Sequence, residues 1–315
     1  MIRRSAAPCA RRVGISLACV LAILLGATRP SEAVPAGFAF LEIPAGSRAS
    51  GLGGAYGALG EGVEAVFWNP AGLAGTHGTQ ITGSHYELFE GLRTDQFAVA
   101  GRLFGGGLAA SMRALYSEPI DERDEFGNLT GTFGANDLEF ALAYGREVGG
   151  GLRLGGSTQA LHERIANVAA STYAFGLGAT WEPPVWTGLR LGASVHNWGA
   201  DAHYTIDGSE ASAVPLPVAF QTGASYSIPV GGQFNLRGAL ETRLTRGRNA
   251  VGMFGAELGQ TSGMAVRVGF RANDDASSFS VGAGYSLSAL RIDYAFVPYR
   301  LELGDTHRLS FAAQF

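Results

Sequence analysis

From about residue 77 to its end, the chain alternates apolar and polar side chains with a period of two, and a helical period is nearly absent. Leu138, Phe140, Leu142 and Tyr144 oppose Asp137, Glu139, Ala141 and Ala143. Met264, Val266, Val268 and Phe270 oppose Ala265, Arg267, Gly269 and Arg271. The last residues do the same: Leu309, Phe311, Ala313 and Phe315 fall on one face of an extended strand, Arg308, Ser310 and Gln314 on the other. About fourteen such segments start near residues 77, 92, 106, 136, 151, 171, 187, 216, 232, 249, 263, 277, 289 and 307.

A soluble sandwich also ends on half-buried strands, so alternation alone leaves two architectures open. The strand count, the segment lengths and the terminal aromatic at Phe315 favour a wall that meets lipid. Glycine adds to this: its 47 residues are about twice the usual share, and a closed ring of strands tolerates them by satisfying every backbone group. The expected fold is all-β, a membrane-spanning antiparallel β-barrel of about 14 strands, its first strand paired with its last. Short connections such as Gly105-Gly106 and Gly149-Gly150-Gly151 alternate with long polar ones at about 117–135, 198–215 and 298–306. That is the two-rim asymmetry of outer-membrane barrels. Apolar faces then meet outer-membrane lipid. Arg190, Arg237, Glu241, Arg267, Arg271, Arg291 and Asp293 would line the lumen as mutually neutralising charges, with Phe311 and Phe315 as the signal read by the barrel-assembly machinery.

Ahead of the barrel, Arg3, Arg4, Arg11 and Arg12 precede an apolar run and the small-residue site Ser31-Glu32-Ala33. This predicts a signal peptide over 1–33 and delivery to the outer membrane. Both cysteines, Cys9 and Cys19, fall inside it, which leaves no thiol for a disulfide or a thiolate metal site. A net charge of −4 argues against a nucleic-acid partner.

Residues 34–76 lack the alternation of the strand segments, and we read them as an N-terminal hatch in the lumen, with the barrel over 77–315. A small, flexible stretch at 46–56 leads to a short helix over about 62–67, which stops ahead of Pro70. Trp68, Asn69, Pro70, Ala71 and Gly72 form the hatch motif: Asn69 bends the chain, Pro70 fixes a dihedral and Gly72 supplies positive φ for a turn. The glycines from Gly51 to Gly54 are no nucleotide loop, because the final glycine of that fingerprint is missing and the chain has no lysine.

Nothing points to catalysis or a cofactor, and the chain is read as a non-enzyme. Six histidines are scattered without zinc spacing, and Ser194 and His196 share an inward face with no third member. The acidic stretch 121–128 lacks calcium-loop spacing.

The run from Ala45 to Ala74, with Trp68-Asn69-Pro70-Ala71-Gly72 at its close, resembles the N-terminal signature of the PorV/PorQ family, within the FadL-like group of outer-membrane barrels. Residues 130–138 and 303–310 resemble the same family. The resemblance implies fourteen strands, a lumenal hatch, and a docking or shuttle role in type IX-like protein secretion, with secreted cargo held by the extracellular loops. The alternative it implies is FadL-like passage of a hydrophobic small molecule across the outer membrane. The sequence leaves the two open.

Overall fold

The structure, a computed structural model, describes residues 37–315 apart from 207–208 and 301–302. The predicted signal peptide, with Cys9 and Cys19, lies outside the described residues. The wall begins with β1 (Gln80–Glu87), β2 (Leu92–Leu103) and β3 (Gly106–Ser117). A hairpin of β4 (Ile120–Arg123) and β5 (Leu129–Phe133) stands apart, each pairing with the other. The wall resumes with β6 (Ala135–Gly149), β7 (Leu152–Ile165), β8 (Val168–Trp181) and β9 (Leu189–Gly199). A second hairpin, β10 (Ala202–Ile206) and β11 (Ser209–Val214), intervenes. The rest is β12 (Ala219–Val230), β13 (Phe234–Thr245), β14 (Val251–Gln260), β15 (Met264–Ala272), β16 (Phe279–Leu287), β17 (Leu290–Pro298) and β18 (Asp305–Gln314).

Fourteen of these strands close into an antiparallel barrel, each bonded to two neighbours, with β1 against β18. Its seam is sealed at the backbone: Thr79 donates to the carbonyl of Phe315 at 3.0 Å, and Phe315 donates back at 2.8 Å. Alternation decides which face is which. On β6, Asp137, Glu139, Ala141 and Ala143 are buried inside, while Phe140 and Leu142 are more than half exposed outside. Leu309, Phe311 and Phe315 also face outward, and Arg308 and Ser310 are buried inward. Large apolar side chains all round an outer wall are stable only against lipid.

Turns at 104–105, 150–151, 231–233, 261–263 and 288–289 make one short rim. The opposite rim carries the long connections, and here the structure adds to the sequence reading: 118–134 and 200–218 are not irregular loops but fold back as the two hairpins. At Asn197, in left-handed backbone (φ 56), the β8–β9 register slips. Beyond that bulge β10 takes β9's place, pairing Tyr204 with Ala170.

Residues 37–76 lie inside the barrel. Phe38, Phe40 and Leu41 pack with Leu161, Ala170 and Leu216 towards the long-loop rim, and Val63, Ala65 and Leu73 pack with Ala98, Ala109 and Ala143 lower down. Two local expectations are corrected. The stretch read as flexible contains an α-helix, Ser47–Gly51. The Asn69–Gly72 segment is not a turn that needs positive φ, but the start of a 3₁₀ helix, Pro70–Gly75, after another at Gly62–Phe67. Gly72 is absent from the positive-φ residues, and a methyl on it would stand 2.8 Å from the Ala65 methyl and overlap the carbonyl of Gly60. Proximity, not conformation, demands that glycine.

Candidate functional site

The interface between the hatch and the wall is the candidate site. Asn69 is its pivot. Its side-chain oxygen caps the 3₁₀ helix by accepting from the amide of Ala71 at 3.1 Å, and Pro70 takes the first helical position, where no amide is needed. The carboxamide nitrogen donates to the carbonyls of Ala179 at 3.2 Å and Ala193 at 3.4 Å, which face each other across β8 and β9. Trp68 beside it donates its indole N–H to the carbonyl of Ala45 and meets Tyr56 edge-on at 6.0 Å. Ala71 is fully buried in the same seat.

The wall beneath this helix is bare of side chains. Gly107 on β3 pairs with Gly145 on β6, Gly145 with Gly155 on β7, and Gly155 with Gly178 on β8. A methyl at any of the four would collide with the hatch: with Leu73 at Gly107, with Pro70 at Gly145 and Gly155, and with Asn69 at Gly178. A second pair, Gly255 and Gly269 on β14 and β15, receives Leu52 and Gly53 in the same way. Hatch backbone thus rests on barrel backbone, which is one reason the chain carries so much glycine.

Opposite the seat, the hatch is held by a closed ring of charges. Arg48 grips Glu257 of β14 with two hydrogen bonds, of 2.9 and 2.8 Å. Glu257 accepts from Arg267 of β15 at 2.6 Å. Arg267 lies 2.8 Å from Asp293 of β17, an ion pair whose angles fall outside hydrogen-bond geometry. Asp293 accepts from Arg291 at 2.7 Å, and Arg291 pairs with Glu64 of the hatch at 2.7 Å. Tyr56 donates to Glu64 at 2.7 Å and accepts from Arg48 at 3.3 Å, closing the ring. Its three arginines and three carboxylates balance, which is what makes burying them tolerable. Burial pushes the Glu64 carboxyl up, but Arg291 and Arg48 outweigh it and hold it below its ordinary value.

All seven lining residues named from the sequence face inward, with unequal contacts. Arg237 makes a further bond to Glu257, at 2.9 Å. Arg190 pairs with Glu61 of the hatch at 2.6 Å and with Glu182 at 2.7 Å. Glu241 accepts from the amides of Gly57 and Ala58 and from Gln221. Arg271 stands apart from the ring and pairs with Asp274 at 3.0 Å. Sequence reasoning missed Arg48, Tyr56, Glu61 and Glu64. A signal was present, because Arg48, Glu61 and Glu64 are the charged residues of an otherwise small and apolar stretch from 43 to 76. Buried charges of that kind need partners.

Ser194 and His196 meet at 2.8 Å, but among the described residues no carboxylate pairs with the imidazole to orient it. In the acidic hairpin, Asp124 is committed to its own turn, accepting from the amides of Phe126 and Asn128.

The model of an uncharacterised protein family, UPF0164, matches residues 26–179. No curated protein matches the chain. Among solved structures, the CymD monoaromatic hydrocarbon channel is 14% identical with a TM-score of 0.59, over 86% of this chain and 97% of that one. The Ralstonia pickettii toluene transporter TbuX is 14% identical with a TM-score of 0.57, over 84% and 98%. A Pseudomonas aeruginosa FadL homologue is 13% identical with a TM-score of 0.52, over 90% and 100%. The chain shares the closed fourteen-strand barrel fold of these outer-membrane proteins. Its lipid-facing wall belongs in the outer membrane. The docking role in protein secretion expected from the PorV/PorQ resemblance finds no support in these likenesses.

Proposed function

We propose that the protein passes small hydrophobic molecules across the outer membrane, as a channel gated by its hatch and without catalysis. The observation that carries this reading is a closed barrel, filled by a hatch, in the architecture of monoaromatic hydrocarbon channels. The wall itself supports a sideways route. Over β7 and β8 an apolar groove of about 460 Å³ opens to the lipid, flanked by Leu142, Tyr144, Phe175, Leu177 and Trp198. Ser157 lines both this groove and a small cavity of about 30 Å³ between wall and hatch. Between the two spaces the Ser157 side chain packs against Gly176 of β8, next to the Asn197 bulge.

The test uses cells that carry the protein in their outer membrane and lack hydrocarbon channels of their own. Initial uptake of labelled toluene is expected to rise several-fold over cells without the protein. Ser47 of the hatch adjoins Ser310 of β18, its amide donating to the Ser310 hydroxyl at 3.3 Å, and a Ser47→Cys, Ser310→Cys pair whose crosslink is verified by thiol titration serves as a reducible lock on the hatch. Uptake should fall in the oxidised pair and return on reduction. Equal uptake with and without the protein sinks the reading.

A further inference from the structure

The short-turn rim opens on a basin formed by two adjoining cavities of about 380 and 480 Å³, which share Arg48, Asn235 and Arg237. Its charges are unevenly matched. Arg48, Arg237 and Arg267 all converge on the single carboxylate of Glu257. Arg267 has Asp293 as a second acid, and Arg48 has the hydroxyl of Tyr56. Among the described residues Arg237 pairs with Glu257 alone, through one nitrogen, and its side chain is 38% exposed. Its remaining donors face the basin, whose lining acids Glu61, Glu182 and Glu257 are each already shared between two or three arginines. Across the basin Arg190 is shared between Glu61 and Glu182.

We propose that this basin binds a compact oxyanion, a phosphate or carboxylate group presented from the periplasm, on Arg237, and that binding loosens the hatch. An oxyanion on Arg237 satisfies the guanidinium that Glu257 shares among three, and guanidinium matches phosphate and carboxylate geometry with two parallel bonds. Arg48 lines both cavities and is the next donor within the basin, so the anion competes with Glu257 for the group that ties the hatch to β14. Anion occupancy and a latched hatch then oppose each other, and each weakens the other by the same factor. The unlatching half of the proposal rests on the hatch being the moving part in the transport reading; the binding half does not.

The experiment titrates purified protein in detergent with inorganic phosphate and, separately, acetate, at ionic strength held constant with chloride. Calorimetry reads binding, and hydrogen exchange over residues 46–58 reads the latch. Saturable binding is expected, with faster exchange in that stretch as the site fills. Phosphate binding stronger than acetate identifies a phosphate site; the reverse identifies a carboxylate site. Arg237→Gln should weaken binding at least about tenfold, since it removes the charge and the two-bond fork. Arg237→Lys, which keeps the charge but not the fork, should bind with intermediate strength, and it replaces the glutamine variant if that one fails to assemble. Binding that does not saturate, that chloride reproduces, or that is unchanged in the variants overturns the site. Saturable binding with unchanged exchange overturns the unlatching. Neither result depends on hydrocarbon uptake, so failure here and failure of the transport reading are separate outcomes.

Discussion

Gly178 of β8 faces the side-chain oxygen of Asn69 with no room for a methyl group between them. Hatch and wall meet there without side-chain padding, so a small addition has a large lever. Gly178→Val is expected to lift the 3₁₀ helix from its seat and cost about 1–3 kcal/mol, the usual penalty of overpacking. Entry of large hydrophilic antibiotics into cells carrying the variant should increase. Gly238→Ala is the control, because nothing lies within 4 Å of a methyl at that position. Equal permeability in the two variants refutes the seat.

The ring of charges makes a separate prediction. Glu64→Gln leaves Arg291 with Asp293 as its one acid among the described residues and gives Tyr56 a neutral acceptor in place of a carboxylate. Breaking a buried pair from one side costs about 3–5 kcal/mol, because the remaining charge stays desolvated. Hydrogen exchange over 46–66 should quicken while the wall strands stay protected. Combining it with Arg291→Gln should cost less than the two single effects added, as for groups that share a partner. Strict additivity would show that the two do not act together.

The latch should also be acid-labile. Burial raises Glu64 and Glu61, but Arg291 and Arg48 around the first, and Arg190 and Arg153 around the second, hold both below the ordinary 4.5. A carboxylate depressed in the folded state contributes stability that is fully present above its unfolded value and is lost as pH falls through its folded value. The hatch is therefore expected to hold at neutral pH and to loosen only below about pH 4.5. Channel opening in planar bilayers, scanned from pH 7 to 3, checks this. Opening that sets in between pH 5 and 7 is incompatible with these two groups as the cause.

Phe315 contributes two backbone hydrogen bonds to the seam, while its ring is 77% exposed to the outside. Deleting it should therefore lower the amount of protein that reaches the outer membrane several-fold and barely change the heat-modifiable transition of the fraction that does. Immunoblots of membrane fractions give the first quantity, and gel mobility after stepped heating gives the second. Normal membrane levels of the truncated chain would refute an assembly role.

Much of the barrel was legible because the property that builds it is local. Each wall strand must turn one face to lipid and one to the lumen, and that requirement writes itself into alternate residues. No wall strand begins more than three residues from where alternation placed it. The hairpins were not legible for the same reason. All four residues of β4 are exposed, so pairing there leaves no alternation to read. The hatch–wall site depends on partners far apart in sequence: Arg48 and Glu257 are 209 residues apart. Their types could be noticed, but their pairing follows from the barrel's register. The glycine row is illegible on the same ground, since Gly107, Gly145, Gly155 and Gly178 become neighbours only once four strands are aligned.

That row also has a mechanical meaning. Side chains normally cushion two packed elements, taking up small displacements by rotating about their own bonds. Along β3, β6, β7 and β8 the cushion is missing, and the peptide of Pro70 bears directly on the strands. A shift of the hatch is then transmitted stiffly to the part of the wall beside the β8–β9 bulge, as through a solid joint. Plug and wall are therefore two ends of one lever.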